Sequence, residues 1–440
     1  MSMNRREMLL AGAAALSVAS TASDAATNSA RKRSFPPGFL WGAATAGHQV
    51  EGNNTASDTW FLENVKPTVF AEPSGDACNS LELWATDLDL VQRMGLNTYR
   101  FSLEWARIEP EPGQFSIAML DHYKRIIDGC RERGLTPMVT FNHFTSPRWF
   151  AMRGGWLDRE SPALFARFCD RAARHLGAGI GYATTLNEPD LMAMLKWSDL
   201  PPQMYDLQRA MLVAAAKAAG SATFFAANAM NQEDIPRATP NLIAGHKAGR
   251  AAIKAVLPRL PVGVSLAIVD DQAVGENSRR DEKRAEVYGA WLEAVRGDDF
   301  VGVQNYERSR IDAKGPLPPP ADARISDRGM EVYPASLAGA VRYVHAASGC
   351  PIMVTEHGVG TKDDALRAWL IPAALAELKV AMDEGVPVLG YVHWTLIDNY
   401  EWIFGYGPAY GLCAVDRKTF RRTPKPSAAV LGAIARRNGL

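Results

Sequence analysis

The sequence predicts a single (β/α)8 barrel, an α/β fold with elaborated loops on its C-terminal face, and three observations carry that prediction. Eight apolar runs of strand length punctuate the chain, at 39–46, 98–103, 136–142, 182–188, 262–270, 300–306, 351–358 and 388–396. Most are rich in Val, Ile, Thr and aromatic residues without polar alternation, the pattern of strands buried on both faces of a parallel sheet. Segments of helical spacing lie between them, as at 121–133 (His122, Ile126, Ile127, Cys130) and 162–176. The third observation is that run four stops at a carboxylate, Glu188, and run seven carries another, Glu356, near its end. In a strand–helix alternation of this length the barrel is the economical closure, and its active sites lie at the C-terminal ends of the strands.

The elements are preceded by a segment that does not belong to the barrel. Arg5 and Arg6 stand before an Ala-rich stretch at 8–19, and Ser23, Asp24 and Ala25 offer small residues for cleavage. This order predicts a twin-arginine export signal over 1–25, a short linker over 26–34 and a barrel over 35–440, with the exported chain starting near Ala26 in the periplasm or outside the cell. No Ser/Gly linker or break in composition divides the barrel, and the Gly/Pro-rich stretch 315–321 reads as a surface loop after strand six. The Ala-rich stretch 210–230 contains Lys217, Gly220, Ser221 and Thr223, so it reads as a packed helix and not as a membrane span.

Composition narrows the function. The chain is 47% hydrophobic and 22% charged, enough apolar material for a large core. Lys+Arg and Asp+Glu both count 48, so there is no basic footprint for nucleic acid and a neutral small molecule is the natural substrate. Five cysteines (78, 130, 169, 350, 413) show no CxxC or Cys/His spacing and read as buried thiols. The eight histidines show no metal-binding spacing, so neither a metal nor a cofactor is expected. The sequence carries no signal for oligomeric state.

Two carboxylates brought to one barrel mouth are the equipment for cutting a glycosidic bond, one protonated and one ionised. The surrounding motifs sharpen this: Phe35 to Ala46 (FPPGFLWGAATA), Arg100 to Pro110 (RFSLEWARIEP), Thr185 to Pro189 (TLNEP), Thr355 to Gly358 (TEHG) and Asp398 to Trp402 (DNYEW). In these five ordered segments the chain resembles glycoside hydrolase family 1, the retaining β-glucosidase family, from Phe35 to about Asp416. The resemblance implies a retaining exo-β-glycosidase, foremost a β-glucosidase. A β-galactosidase or β-fucosidase, a transglycosylase or a non-catalytic sugar-binding protein are its alternatives on the same scaffold. It implies Glu188 as acid/base and Glu356 as nucleophile, with Arg100 and Tyr306 supporting the nucleophile and Asn187 at the sugar 2-hydroxyl. Gln49, His143, Glu401 and Trp402 would grip the other hydroxyls, Trp394 would form the floor, and Tyr410 would add a further sugar contact.

Several positions depart from the family pattern. His357 follows the expected nucleophile where asparagine is usual, and Phe144 and Met330 stand at usual tryptophan positions. Gln304 replaces an asparagine, and the Gly/Pro-rich loop after Pro189 is replaced by residues 191–202. A 6-phosphorylated sugar is not expected, because Glu401 would repel it and Pro408 and Ala409 offer no cation.

Overall fold

The computed structural model describes residues 34–198 and 200–440, so the expected export segment and nearly all of the linker lie outside the described residues. The eight predicted runs form eight parallel strands: β1 (Leu40–Ala44), β2 (Thr98–Ser102), β3 (Thr136–Asn142), β4 (Tyr182–Asn187), β5 (Val262–Ala267), β6 (Val301–Asn305), β7 (Ile352–His357) and β8 (Val388–His393). Each pairs with its sequence neighbours and β1 pairs with β8, closing the barrel. Side chains alternate between two cores. Leu40, Met138, Phe300, Met353 and Val392 fill the interior, while Trp41, Val139, Val264, Val354 and Tyr391 pack outward against the helices.

The register is interrupted where the chemistry is expected. In β4, Thr184 pairs with Gly263 but Asn187 pairs with Ser265, so β4 carries one extra residue. In β7, Val354 pairs with Val303 but Glu356 pairs with Gln304, so Thr355 is the extra residue. A bulge of this kind breaks the two-residue alternation and re-aims the side chain that follows it. Glu356 thereby comes to lie beside Gln304.

The helices follow the predicted spacing, with Ile117–Glu132 and Ser161–Leu176 over the two segments singled out. Two boundaries differ from expectation. The run 262–270 is not one strand. β5 ends at Ala267, and Asp270–Ala273 pairs in parallel with Arg308–Ile311 in a separate small sheet. The side-chain amide of Asn305 donates to the Ile268 carbonyl at 2.8 Å, holding the turn that divides the run. Similarly, the stretch 210–230 contributes only the end of Pro202–Ala219 before the chain becomes irregular. Among the described residues no helix is long and apolar enough to cross a membrane. All five cysteines are free and buried, as expected. Burial pushes the thiols of Cys78, Cys130 and Cys413 up to about 12, which leaves them unreactive.

Candidate active site

Arg100 is the hub of the mouth. It is fully buried on β2, and its guanidinium is satisfied in several directions. Nε donates to Thr140 Oγ1 at 3.1 Å, Nη1 to Glu356 Oε1 at 2.6 Å and the Thr355 carbonyl at 3.3 Å, and Nη2 to Asn187 Oδ1 at 2.6 Å. A buried cation is tolerable only when paired and hydrogen-bonded in this way. One side chain therefore ties together β2, β3, β4 and β7.

Glu356 accepts two further bonds, from the Tyr306 hydroxyl to Oε2 at 2.6 Å and from Gln304 Nε2 to Oε1 at 2.9 Å. Burial raises its pKa, and Arg100, Tyr306 and Gln304 all pull it back toward the ionised form. Glu188 is in the opposite situation. Its carboxyl makes no hydrogen bond to any described residue. Burial holds its pKa well above the ordinary carboxylate range, and the negative charges of Glu356 and Asp190 push it further, against Arg100. Two neighbouring carboxyls driven apart in this way make one acid and one base. The backbone of Glu188 sits at φ +42°, in the left-handed region that non-glycine residues rarely adopt, and its N–H donates to the Ser265 carbonyl at 2.8 Å.

The other side of the mouth is aromatic. His143 lies between Trp394 and Trp402, with ring centroids 5.6 Å and 6.1 Å away and planes within 15° and 10° of parallel. Burial, aided by Arg100, keeps His143 neutral. Trp402 is also stacked against His48, with centroids 5.7 Å apart. Behind it, burial opposes protonation of His48, but Glu63, bonded to its Nε2 at 2.8 Å, raises its pKa. A Cβ on Gly358 would stand 2.2 Å from the Trp394 carbonyl oxygen, so glycine is what lets the chain leaving β7 pass so near the Trp394 backbone.

Gln49 donates to the Tyr400 carbonyl at 2.7 Å and to Asn399 Oδ1 at 3.2 Å. Its Oε1, together with His143 Nδ1 and Asn187 Nδ2, is buried without a hydrogen-bond partner. Unpaired buried polar atoms are costly, and several at one mouth suit a ligand bearing many hydroxyls. Glu401 is buried, accepts from Trp394 Nε1 at 3.3 Å, and is pushed up to about 8 by burial, with Arg328 opposing. Tyr410 packs edge-on against Tyr306 at 5.8 Å.

The structure thus gathers the expected catalytic residues Arg100, Asn187, Tyr306 and Glu356 into one hydrogen-bonded set, with Glu188 coupled to it by charge. The expected sugar-contacting residues line the same mouth. Three participants were not anticipated. Gln304, noted only as a departure, bonds both Glu356 and Asn187 (2.8 Å). It lies two residues before Tyr306 in the run 300–306, a period-two signal that could have identified it. Thr140 supports Arg100. Arg328, which the sequence did not single out, brings a guanidinium to Tyr410 and within electrostatic range of Glu401. His357 points away from Glu356: its Nδ1 meets the Tyr391 hydroxyl at 2.9 Å in the outer core, and burial lowers its pKa to about 4. Phe144 packs edge-on against Trp402 and His143, and the residues after Pro189 form the helices Leu191–Leu195 and Pro202–Ala219.

A parallel (β/α)8 barrel with a donor-supported carboxylate, a second carboxyl pushed toward its protonated form and an aromatic, polar pocket has the equipment of a glycoside hydrolase. The chain belongs to glycosyl hydrolase family 1, whose sequence model matches residues 31–237 and 303–440. β-Glucosidase A of Thermotoga maritima is 27% identical to it, over 93% of this chain and 99% of the relative. Among solved structures, β-glycosidase BGL167 is 46% identical with a TM-score of 0.87, covering 92% of this chain and 98% of that one. β-Glucosidase 1317 is 41% identical with the same TM-score, covering 91% and 98%.

Proposed function

We propose that the enzyme is a retaining exo-β-glycosidase acting foremost on β-glucosides, with Glu356 as nucleophile and Glu188 as acid/base. The observation that carries the assignment of roles is their unequal support. Glu356 accepts hydrogen bonds from Arg100, Tyr306 and Gln304, whereas Glu188 accepts none and faces the charge of Glu356. In the first step a Glu356 oxygen bonds to the anomeric carbon, the glycosidic C–O bond breaks, and the proton of Glu188 passes to the leaving oxygen. In the second, Glu188 takes a proton from water, whose oxygen displaces Glu356 and releases the sugar with its original configuration. The names of the relatives support glucose as the glycone, and the family resemblance supports giving Asn187, tied to Arg100, the contact to the 2-hydroxyl.

Changing Glu356 to Ala removes the nucleophile. Turnover of an aryl β-glucoside is then lost, and azide restores it as the inverted glycosyl azide. Undiminished turnover in that variant would sink the assignment. A panel of aryl glucosides, galactosides and fucosides reads the glycone directly.

The proposal extends to location. The twin-arginine pair, the apolar stretch and the cleavage residues at the N-terminus support export of the folded enzyme to the periplasm or beyond. Replacing Arg5 and Arg6 together by lysine leaves the enzyme active but cytoplasmic. Periplasmic activity unchanged by that double substitution would remove the export reading.

A further inference from the structure

The connection between β6 and β7 delivers Arg328 to the rim of the site on a pinned turn. The Ser326 N–H donates to the Met330 carbonyl at 2.8 Å, and that of Gly329 to the Ser326 carbonyl at 3.0 Å. Both flanks of the turn are anchored. The N–H of Asp327 reaches the Gly360 carbonyl at 3.1 Å, and its carboxylate accepts from the Lys362 N–H at 2.7 Å. Glu331 takes two bonds from Arg308, at 2.7 and 2.8 Å. From this base the Arg328 guanidinium lies 4.1 Å from the centre of the Phe404 ring, and its Nη1 donates to the Tyr410 hydroxyl at 3.3 Å.

Phe404 and Tyr410 belong to the connection after β8 that carries Glu401. The Glu401 N–H donates to the Gly405 carbonyl at 2.7 Å and its carbonyl accepts from Phe404 N–H at 3.1 Å, so Phe404 is part of the turn that Glu401 starts. Arg328 makes no direct bond to Glu401, and its contacts are the ring and the hydroxyl. Arg328 is an exposed residue, and both of these contacts lie on the connection that carries Glu401.

We propose that Arg328 is a positioning residue for glycone recognition: by clamping Phe404 and Tyr410 it sets the orientation of Glu401 for gripping the sugar hydroxyls. The inference rests on the glycosidase reading above and adds a determinant of sugar affinity to it. The electrostatics around Glu401 agree. Arg328 from the β6–β7 connection and the Trp394 N–H after β8 favour its ionised form. Burial, Glu356 on β7, Asp398 after β8 and Glu188 at the end of β4 oppose it. Arg328 is the cation in that set, and a planar guanidinium, stacked on a ring face while an edge N–H reaches a hydroxyl, fixes both partners more rigidly than an ammonium does.

The test compares the wild-type enzyme with Arg328→Met and Arg328→Lys, each first checked for an unchanged melting temperature. Two readouts are taken: kcat and KM on an aryl β-glucoside, and the 13C titration of the Glu401 carboxyl, recognised by its loss in Glu401→Gln. The methionine variant raises KM about tenfold with kcat within about twofold, and moves the Glu401 midpoint to higher pH. Lysine recovers the midpoint in part and KM less. A midpoint that stays put in Arg328→Met overturns the proposal, and so does a fall in kcat with KM unmoved. Should the methionine variant not fold, Arg328→Gln keeps donors without charge and is held to the same two outcomes. Failure of the glycosidase reading is seen separately, as absence of labelling of the wild-type enzyme by a 2-deoxy-2-fluoro glucoside, and the titration still decides the role of Arg328.

Discussion

Replacing Tyr306 by phenylalanine removes one hydrogen bond from Glu356, the proposed nucleophile, and little else. The Tyr306 hydroxyl donates to Glu356 Oε2 at 2.6 Å, while the ring packs edge-on against Tyr410, a contact phenylalanine keeps. A short hydrogen bond to a charged group is worth about 1.5–3 kcal/mol. If that support matters in the transition state, kcat/KM falls roughly 10- to 150-fold, at 1.36 kcal/mol per factor of ten. The pH profile gives the sharper readout. Tyr306 favours the ionised form of Glu356, so its loss raises the Glu356 pKa. Since the nucleophile must be ionised to attack, the acidic limb of kcat/KM moves to higher pH, by about 1–2 pH units as the upper bound of the same energy. Arg100 and Gln304 still donate to Glu356, so the limb moves without the activity vanishing. The assay is kcat/KM on an aryl β-glucoside across the acid range for both enzymes. An acidic limb that does not move, with kcat/KM within about threefold of wild type, would refute the reasoning that Tyr306 tunes the nucleophile.

Glu188→Ala should lower kcat/KM on disaccharides by about 10²–10⁴-fold. Glucosides with a very acidic leaving phenol, which need no proton, should be largely spared in their first step, and the basic limb of the profile should flatten; a steep basic limb persisting in the variant would place the acid elsewhere. His357→Asn should leave the acidic limb where it is, because His357 faces Tyr391 and not Glu356. Its cost should be about 1 kcal/mol of stability, from the lost buried hydrogen bond, read by urea denaturation; a moved limb would show that His357 acts on the nucleophile after all.

The barrel was legible in the sequence because strands buried on both faces write continuous apolar runs, and eight of them interleave with helical segments. The same signal misled at 262–270, where apolar Ile268 and Val269 turn the chain and do not extend β5, an arrangement held by Asn305 from another strand. The motifs around Glu188 and Glu356 were readable as well, since each carboxylate lies at or near the end of a run. Composition and spacing did not reveal the support around them. Gln304 looked like a mere departure until its bonds to Glu356 and Asn187 were visible, and Arg328 lay in a connection with no pattern to read.

What the sequence by itself determined is therefore the local and the periodic: strands, helices, the two carboxylates at strand ends, and the segments that mark family membership. These follow from burial and chain stereochemistry over a few neighbouring residues. Tertiary structure alone decided which groups meet across the barrel. Arg100 reaches Glu356 256 positions away, and Arg328 reaches Tyr410 82 positions away. It also decided which carboxyl is pushed further toward its protonated form, because that depends on the donors and charges surrounding each one. A bulge of one residue in β7 sets Glu356 beside Gln304 and turns His357 outward, and a shift of that kind is a property of strand register that no residue on its own strand announces.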